Sequence, residues 1–235
     1  MALQDFVKVL ESYRGREKTM RTLQYGLLLV SPLASERVGE SFKILSSQLG
    51  MTRVVLRLFD DLPMLQYSLS TGTGRKDEDA IVRTLRVLNN VVDQIYFPVE
   101  HFAWARDMKM AKGNSASLWN ASLVLWGLSL LLTIIRSLRQ ISLIRQQRKG
   151  AARDTIEKLN VQHDEELLTV IMQASDLLNA LNWMPKRPWV NPFPAWQVRT
   201  HSSWRPWHLP FPQWQVGLLG LISSLIGFRK MMSSQ

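Results

Sequence analysis

Asp60 and Asp61 are adjacent carboxylates, the residue type that general acid–base catalysis uses in pairs. Neighbours on a helix point about 100° apart, so these two cannot converge on one reacting bond. Their expected use is an ion pair from Arg57 to Asp61 one turn away, worth roughly a few tenths of a kcal/mol. Gly72-Thr73-Gly74-Arg75-Lys76 offers glycines and a lysine to a phosphate, but its spacing departs from GxxxxGK[ST] and no apolar strand precedes it. His101, His163, His201 and His208 form no HxxxH pair, so a metal site is not expected. The absence of cysteine excludes disulfides, thiol catalysis and cysteine metal sites. No catalytic, metal or cofactor-binding constellation emerges, and an enzyme is the least supported reading.

What the chain does offer is apolar surface. Leu118 to Ile135 is an uncharged run of 18 residues, about 27 Å as a helix against a hydrocarbon core of about 30 Å. Trp119 and Trp126 lie in its first half, and Arg136, Arg139, Arg145, Arg148 and Lys149 follow it as a basic collar. The competing reading, a core helix of a soluble bundle, would ordinarily keep a wider polar stripe than Asn120, Ser122, Ser129 and Thr133 provide. A second uncharged run, Trp214 to Phe228, has 15 residues and reaches about 22 Å, short of a full span. Gly220 and Ser224, like Ser223 and Gly227, are small residues four apart, suited to close helix packing, either in self-association or against Leu118 to Ile135. The fold expected is all-α: an integral membrane protein of amphipathic helices with one clear transmembrane helix and a shorter C-terminal apolar helix. The net charge of +10 beside these runs points to anionic lipid headgroups and not to nucleic acid. The N-terminal sequence lacks the apolar core of a secretory signal, so insertion from the cytosol is expected.

Helical periodicity places Leu3, Phe6, Leu10 and Tyr13 on one face, and the phase resumes at Met20, Leu23 and Leu27. This amphipathic stretch, with a bend expected at Gly15 and an end at Ser31-Pro32, suits a membrane interface or a packed helix pair. A second helix is expected from about Ser41 through Leu62, and a third carries Ile81, Leu85, Leu88, Val92 and Ile95 as far as Pro98. From Asp154 a fourth pattern carries Leu159, Leu167, Ile171, Leu178 and Leu181 as its packing side, with Asp164, Glu165 and Glu166 on a solvated face. Arg187 to Val198 recurs as Arg205 to Val216 with 9 of 12 positions identical, a Pro/Trp-rich duplication whose prolines forbid a continuous helix. The chain thus divides into an amphipathic region 1–117, a span 118–135, a basic loop and helix 136–185, the duplicated loop 186–213, a membrane helix 214–230 and a tail 231–235.

Tyr13-Arg14-Gly15-Arg16-Glu17-Lys18, Arg57-Leu58-Phe59-Asp60-Asp61-Leu62, Asp93-Gln94-Ile95-Tyr96-Phe97-Pro98 with Glu100-His101, and Leu125-Trp126-Gly127-Leu128 together resemble the peroxin-11 family, most nearly its gamma subtype. The resemblance extends over nearly the whole chain except the duplicated loop. It implies a multi-pass peroxisomal membrane protein with both termini in the cytosol, which promotes peroxisome elongation, proliferation and fission. It further implies association with itself or other family members, with the peroxisomal membrane-protein chaperone near Arg136 to Lys149, and with a dynamin-like fission machinery and its adaptors. A small-solute channel is the alternative. With only two spans, that topology sets the basic stretch after Ile135 on the non-cytosolic side, against the positive-inside rule.

Overall fold

Ser12 divides the N-terminal amphipathic stretch in two. The computed structural model describes residues 3–72, 74, 77–150, 152–184 and 211–233. In it, α1 (Leu3–Glu11) stops where Ser12 turns extended, and the Ser12 hydroxyl accepts the Gly15 N–H at 3.0 Å to cap α2 (Tyr13–Val30). The bend expected at Gly15 therefore falls at Ser12. Gly15 is needed for a different reason: a Cβ there would lie 1.9 Å from the Val9 carbonyl oxygen.

A 3-10 turn at Ser31–Leu33 ends α2, and α3 (Glu36–Arg57) starts earlier than expected, with the acidic Glu36 in its first turn. It also stops earlier. The chain turns through Leu58 to Asp60 and resumes as α4 (Asp61–Thr71), whose Pro63 sits in the first turn, where a missing N–H costs nothing. Asp79 caps α5 (Ala80–Asp107) by accepting the N–H groups of Ile81 and Val82. This helix runs through Pro98, where a stop was expected; packing of α5 along a neighbouring helix keeps it continuous where local propensity would end it. The remaining helices are α6 (Ala116–Gln147), α7 (Arg153–Trp183) and α8 (Gln213–Ser233). The described residues hold no strand. Both α6 and α8 are long and apolar enough to cross a membrane. The C-terminal helix is the shorter of the two, as expected, and it extends the uncharged run at both ends to 21 residues, about 31 Å. Most of the duplicated Pro/Trp loop lies outside the described residues; only its last part, from Phe211, leads into α8.

The helices pack side by side in the order α3, α2, α8, α7, α6, α5. Gly220 faces α2, where a Cβ would lie 2.2 Å from Tyr25 Cδ1, and Ser224 is 1% exposed on the same face. The small residues of α8 therefore serve packing within the chain, and their main partner is α2, not α6. Gly220→Ala should cost about 1–3 kcal/mol by overpacking. Gly227→Ala, whose Cβ would meet Lys18 and Met172 at an ordinary 3.6 Å, should be nearly silent. Thermal unfolding of the detergent-solubilised protein compares the two.

Polarity is inverted relative to a water-soluble bundle. Asn179, Asn182, Ser137 and Ser223 are at most 2% exposed, whereas Leu62, Leu69, Phe102 and Val161 are more than 60% exposed. On α7 Leu159 is buried as expected, but over the rest of the helix the sides are exchanged: Leu167, Ile171, Leu178 and Leu181 face outward, and Thr169, Asp176 and Asn179 are buried. Lipid tails are as apolar as leucine, so in a membrane nothing drives leucines inward, while a polar group gains by meeting another polar group.

Candidate functional site

The charged residues of the helix crossings are where the quoted sequence blocks meet. Arg57, at the end of α3, donates Nε and Nη2 to the two oxygens of Glu100 on α5 at 2.7 Å each, the planar fork that suits a carboxylate. Tyr96, one turn earlier on α5, donates its hydroxyl to Glu100 Oε1 at 2.7 Å. The expected Arg57–Asp61 pair is not made, because α3 ends between them and turns Asp61 toward α5. Asp61 instead meets His101 Nδ1 at 3.1 Å, while His101 Nε2 lies 3.1 Å from the Arg57 carbonyl oxygen. Tyr13, at the start of α2, shares its hydroxyl between the Leu56 carbonyl at 2.8 Å and Asp60 Oδ1 at 3.0 Å. Burial pushes the Asp60 carboxyl up, against the lowering influence of the Tyr13 hydrogen bond and the Arg57 charge. Of the motif residues, Tyr13, Arg57 and Asp60 are thus brought together, with Gly15 two residues further along α2. Arg14 and Arg16 are exposed, Leu58 is half-buried, and Phe59 is 70% exposed outside the cluster.

Two further clusters tie α2 to its neighbours. Arg53 of α3 bonds Glu17 Oε1 at 3.0 Å and Gln24 Oε1 at 2.8 Å. Arg21 of α2 bonds both oxygens of Asp176 on α7, at 2.5 and 2.6 Å, and Ser223 of α8 at 2.9 Å. Neither cluster was expected. The available signal was Asp176 alone within the otherwise uncharged stretch 167–184, since an isolated charge among leucines requires a partner.

The basic collar is partly neutralised. Arg136 and Glu166 lie 3.7 Å apart, Lys230 and Glu165 3.3 Å, and Arg139 and Asp79 2.7 Å. Only Asp164 keeps the solvated position expected of the acidic trio; Glu165 and Glu166 are half-buried, because α7 turns its polar side onto α6 and α8. Arg139 and the N–H groups of Val82 and Ile81 hold the Asp79 carboxyl below its ordinary range. Its contribution to stability is accordingly present above the ordinary aspartate pKa and lost as the pH falls through the lowered one. Arg145 and Lys149 remain exposed.

The expected membrane-inserting face is divided by the Ser12 break. Phe6 at 39% and Leu23 at 53% are exposed; Leu10, Met20 and Leu27 are half-buried; Tyr13 is a hydrogen-bonding residue of the cluster; Leu3 opens α1. Of the expected span ends, Leu118 and Ile135 lie within α6, as Trp214 and Phe228 lie within α8.

What these clusters can do is hold helices together. Every acid in them meets a basic side chain, an imidazole or a hydroxyl, and among the described residues no group of three or more His, Asp or Glu could hold a metal ion. A groove of about 210 Å³ between α4 and α5 is lined by Leu62, Leu65 and Phe97 beside Asp61 and Gln94.

Over residues 3–232 the chain matches the family described as Peroxisomal biogenesis factor 11 (PEX11). It is 36% identical to Peroxisomal membrane protein 11C of Homo sapiens, over 96% of this chain and 92% of that protein. Identity to Peroxisomal membrane protein 11C of Mus musculus is 35%, over 95% and 92%. No solved structure matches.

Proposed function

Because the chain belongs to the PEX11 family of peroxisomal biogenesis factors, we propose that it elongates the peroxisomal membrane ahead of fission, by inserting its outward apolar faces into one leaflet. Association with other family members, the membrane-protein chaperone and a dynamin-like fission machinery belongs to the same reading. The observation that carries it is the inverted polarity, together with α1: Phe6 and Val7 are 39% and 42% exposed beside Lys8, at the edge of the bundle. A shallow apolar wedge with a basic flank enters the headgroup region and expands the leaflet it enters. The channel has less support, since the buried charges of α2, α3, α5 and α7 are paired with one another.

Phe6→Glu with Val7→Glu tests this on exposed positions. Each charge should cost a few kcal/mol of interfacial binding, of the order set by burying such side chains. The double variant should stay in the membrane after alkaline carbonate yet fail to elongate peroxisomes. Elongation at the wild-type level would refute insertion of this face.

A further inference from the structure

The turn that joins α3 to α4 holds more acceptors than protons. His101 of α5 reaches two groups that only accept: Nδ1 lies 3.1 Å from the Asp61 carboxylate, and Nε2 lies 3.1 Å from the Arg57 carbonyl oxygen. A neutral imidazole has one N–H and serves one of them, whereas the imidazolium has two and serves both. Tyr13 meets the same shortage. Its single hydroxyl proton faces the Leu56 carbonyl oxygen at 2.8 Å and Asp60 Oδ1 at 3.0 Å, and a carbonyl cannot donate. Both contacts are full hydrogen bonds together only when Asp60 carries a proton and donates it to the Tyr13 oxygen. Two neighbouring carboxyls of one turn, each held by a different helix, thus lie in contacts that are one proton short.

The surroundings leave the shortage in place. The Arg57 guanidinium is taken up by Glu100, which also accepts the Tyr96 hydroxyl. The other charged groups at Asp60 are Arg14 and Glu17 of α2. Burial pushes the Asp60 carboxyl up, and the Tyr13 hydrogen bond and the Arg57 charge offset this only in part. Near His101, α6 passes α5 between the Asp107–Trp119 and Asn89–Thr133 contacts, a stretch of α6 without charge.

What this joint holds is α4. No residue of α4 is buried, and the helix packs chiefly on α5. Its second half is held by neutral groups, since Gln94 donates to Ser68 Oγ and Ser68 donates to Asn90 Oδ1, at 2.7 Å each. Behind it Gly72 stands at φ 51° with nothing within 4 Å of its Cβ position, so the chain is free to turn there. The groove under α4 is lined by Met64, Leu65, Phe97 and Pro98.

We propose that α4 is a proton-controlled strap: protonated His101 and Asp60 dock its first turn against α5 and α2, and loss of these protons lifts it from α5 and uncovers Phe97 and Pro98. From Leu62 to Thr71 the strap carries no charge, and Leu62 and Leu69 are already 76% and 75% exposed, so a lifted α4 is apolar on both sides. The two protons act in the same direction. The Asp60 contribution is present below the ordinary aspartate pKa and is lost as the pH rises through the raised one. The His101 contribution is present while the ring holds both protons and is lost as the pH rises. Where one proton is being lost, the ratio of docked to lifted strap falls by up to about tenfold per pH unit.

The chain has no cysteine, so introduced cysteines take spin labels without background. Leu62→Cys on α4 with Ile81→Cys on α5 places both labels at exposed positions of the full-length, detergent-solubilised protein. Electron–electron distances are followed from about pH 4.5 to about pH 8, which brackets carboxyl and imidazole titration. One narrow distance is expected in acid, with a second, broader population that grows roughly tenfold or more as the pH rises. His101→Gln should leave only the acidic part of this response. Asp60→Asn, whose amide N–H donates to Tyr13 at every pH, should leave only the imidazole part, and the double variant should not respond. Labels at Ile81→Cys and Leu128→Cys, on α5 and α6, should keep one distance throughout. A parent distance that ignores pH overturns the strap, as does a full response in the double variant. Movement of the α5–α6 pair in step with α4 would also overturn it, because the change would then be unfolding of the bundle.

Discussion

Arg57→Ala should destabilise the protein by about 3–5 kcal/mol, because it leaves the Glu100 carboxylate buried with one hydroxyl for company. The Glu100 side chain is 4% exposed, so water cannot replace the guanidinium. The loss is larger than the pair's net worth, since forming the pair also required both charges to be desolvated. Arg57→Met with Glu100→Met should therefore recover most of the stability, as removal of both partners leaves no orphan charge. By contrast, Lys43→Ala breaks an exposed pair with Glu40 and should change stability by less than about 1 kcal/mol. Thermal unfolding in detergent and the amount of protein retained in peroxisomes measure all three. A loss below about 1 kcal/mol for Arg57→Ala would mean that this crossing does not hold α3 to α5.

Asp176→Ala should cost a comparable amount, about 3–5 kcal/mol, for a cation in place of an anion. Arg21 would keep the Ser223 hydroxyl and the face of the Tyr25 ring, 5.7 Å away, but no anion, while its side chain is 14% exposed at a junction of α2, α7 and α8. The effect should also be visible as geometry. A cysteine pair placed across α2 and α8 should cross-link readily in the parent and poorly in the variant, because the guanidinium can regain solvation only if α2 moves off α8. Arg21→Met with Asp176→Leu should restore both cross-linking and stability. An Asp176→Ala protein that cross-links and melts like the parent would refute the junction.

The existence and type of most helices were legible in the sequence because hydrophobic periodicity is local. The apolar length of α6 could be counted directly. The gathering of Tyr13, Arg57, Asp60, Tyr96 and Glu100 was implied only by their membership of recognisable blocks. No spacing rule connects residues more than forty positions apart, and the local rule chose the wrong partner for Arg57. Periodicity also cannot tell which side of an amphipathic helix faces the core. It found the leucine stripe of α7 and assigned it inward, as water would require, whereas the packed bundle turns Asp176 and Asn179 inward and Leu178 outward. Direction is likewise a tertiary property. Composition picks out α6 and α8, but only the contacts of α7 with both show them to be parallel.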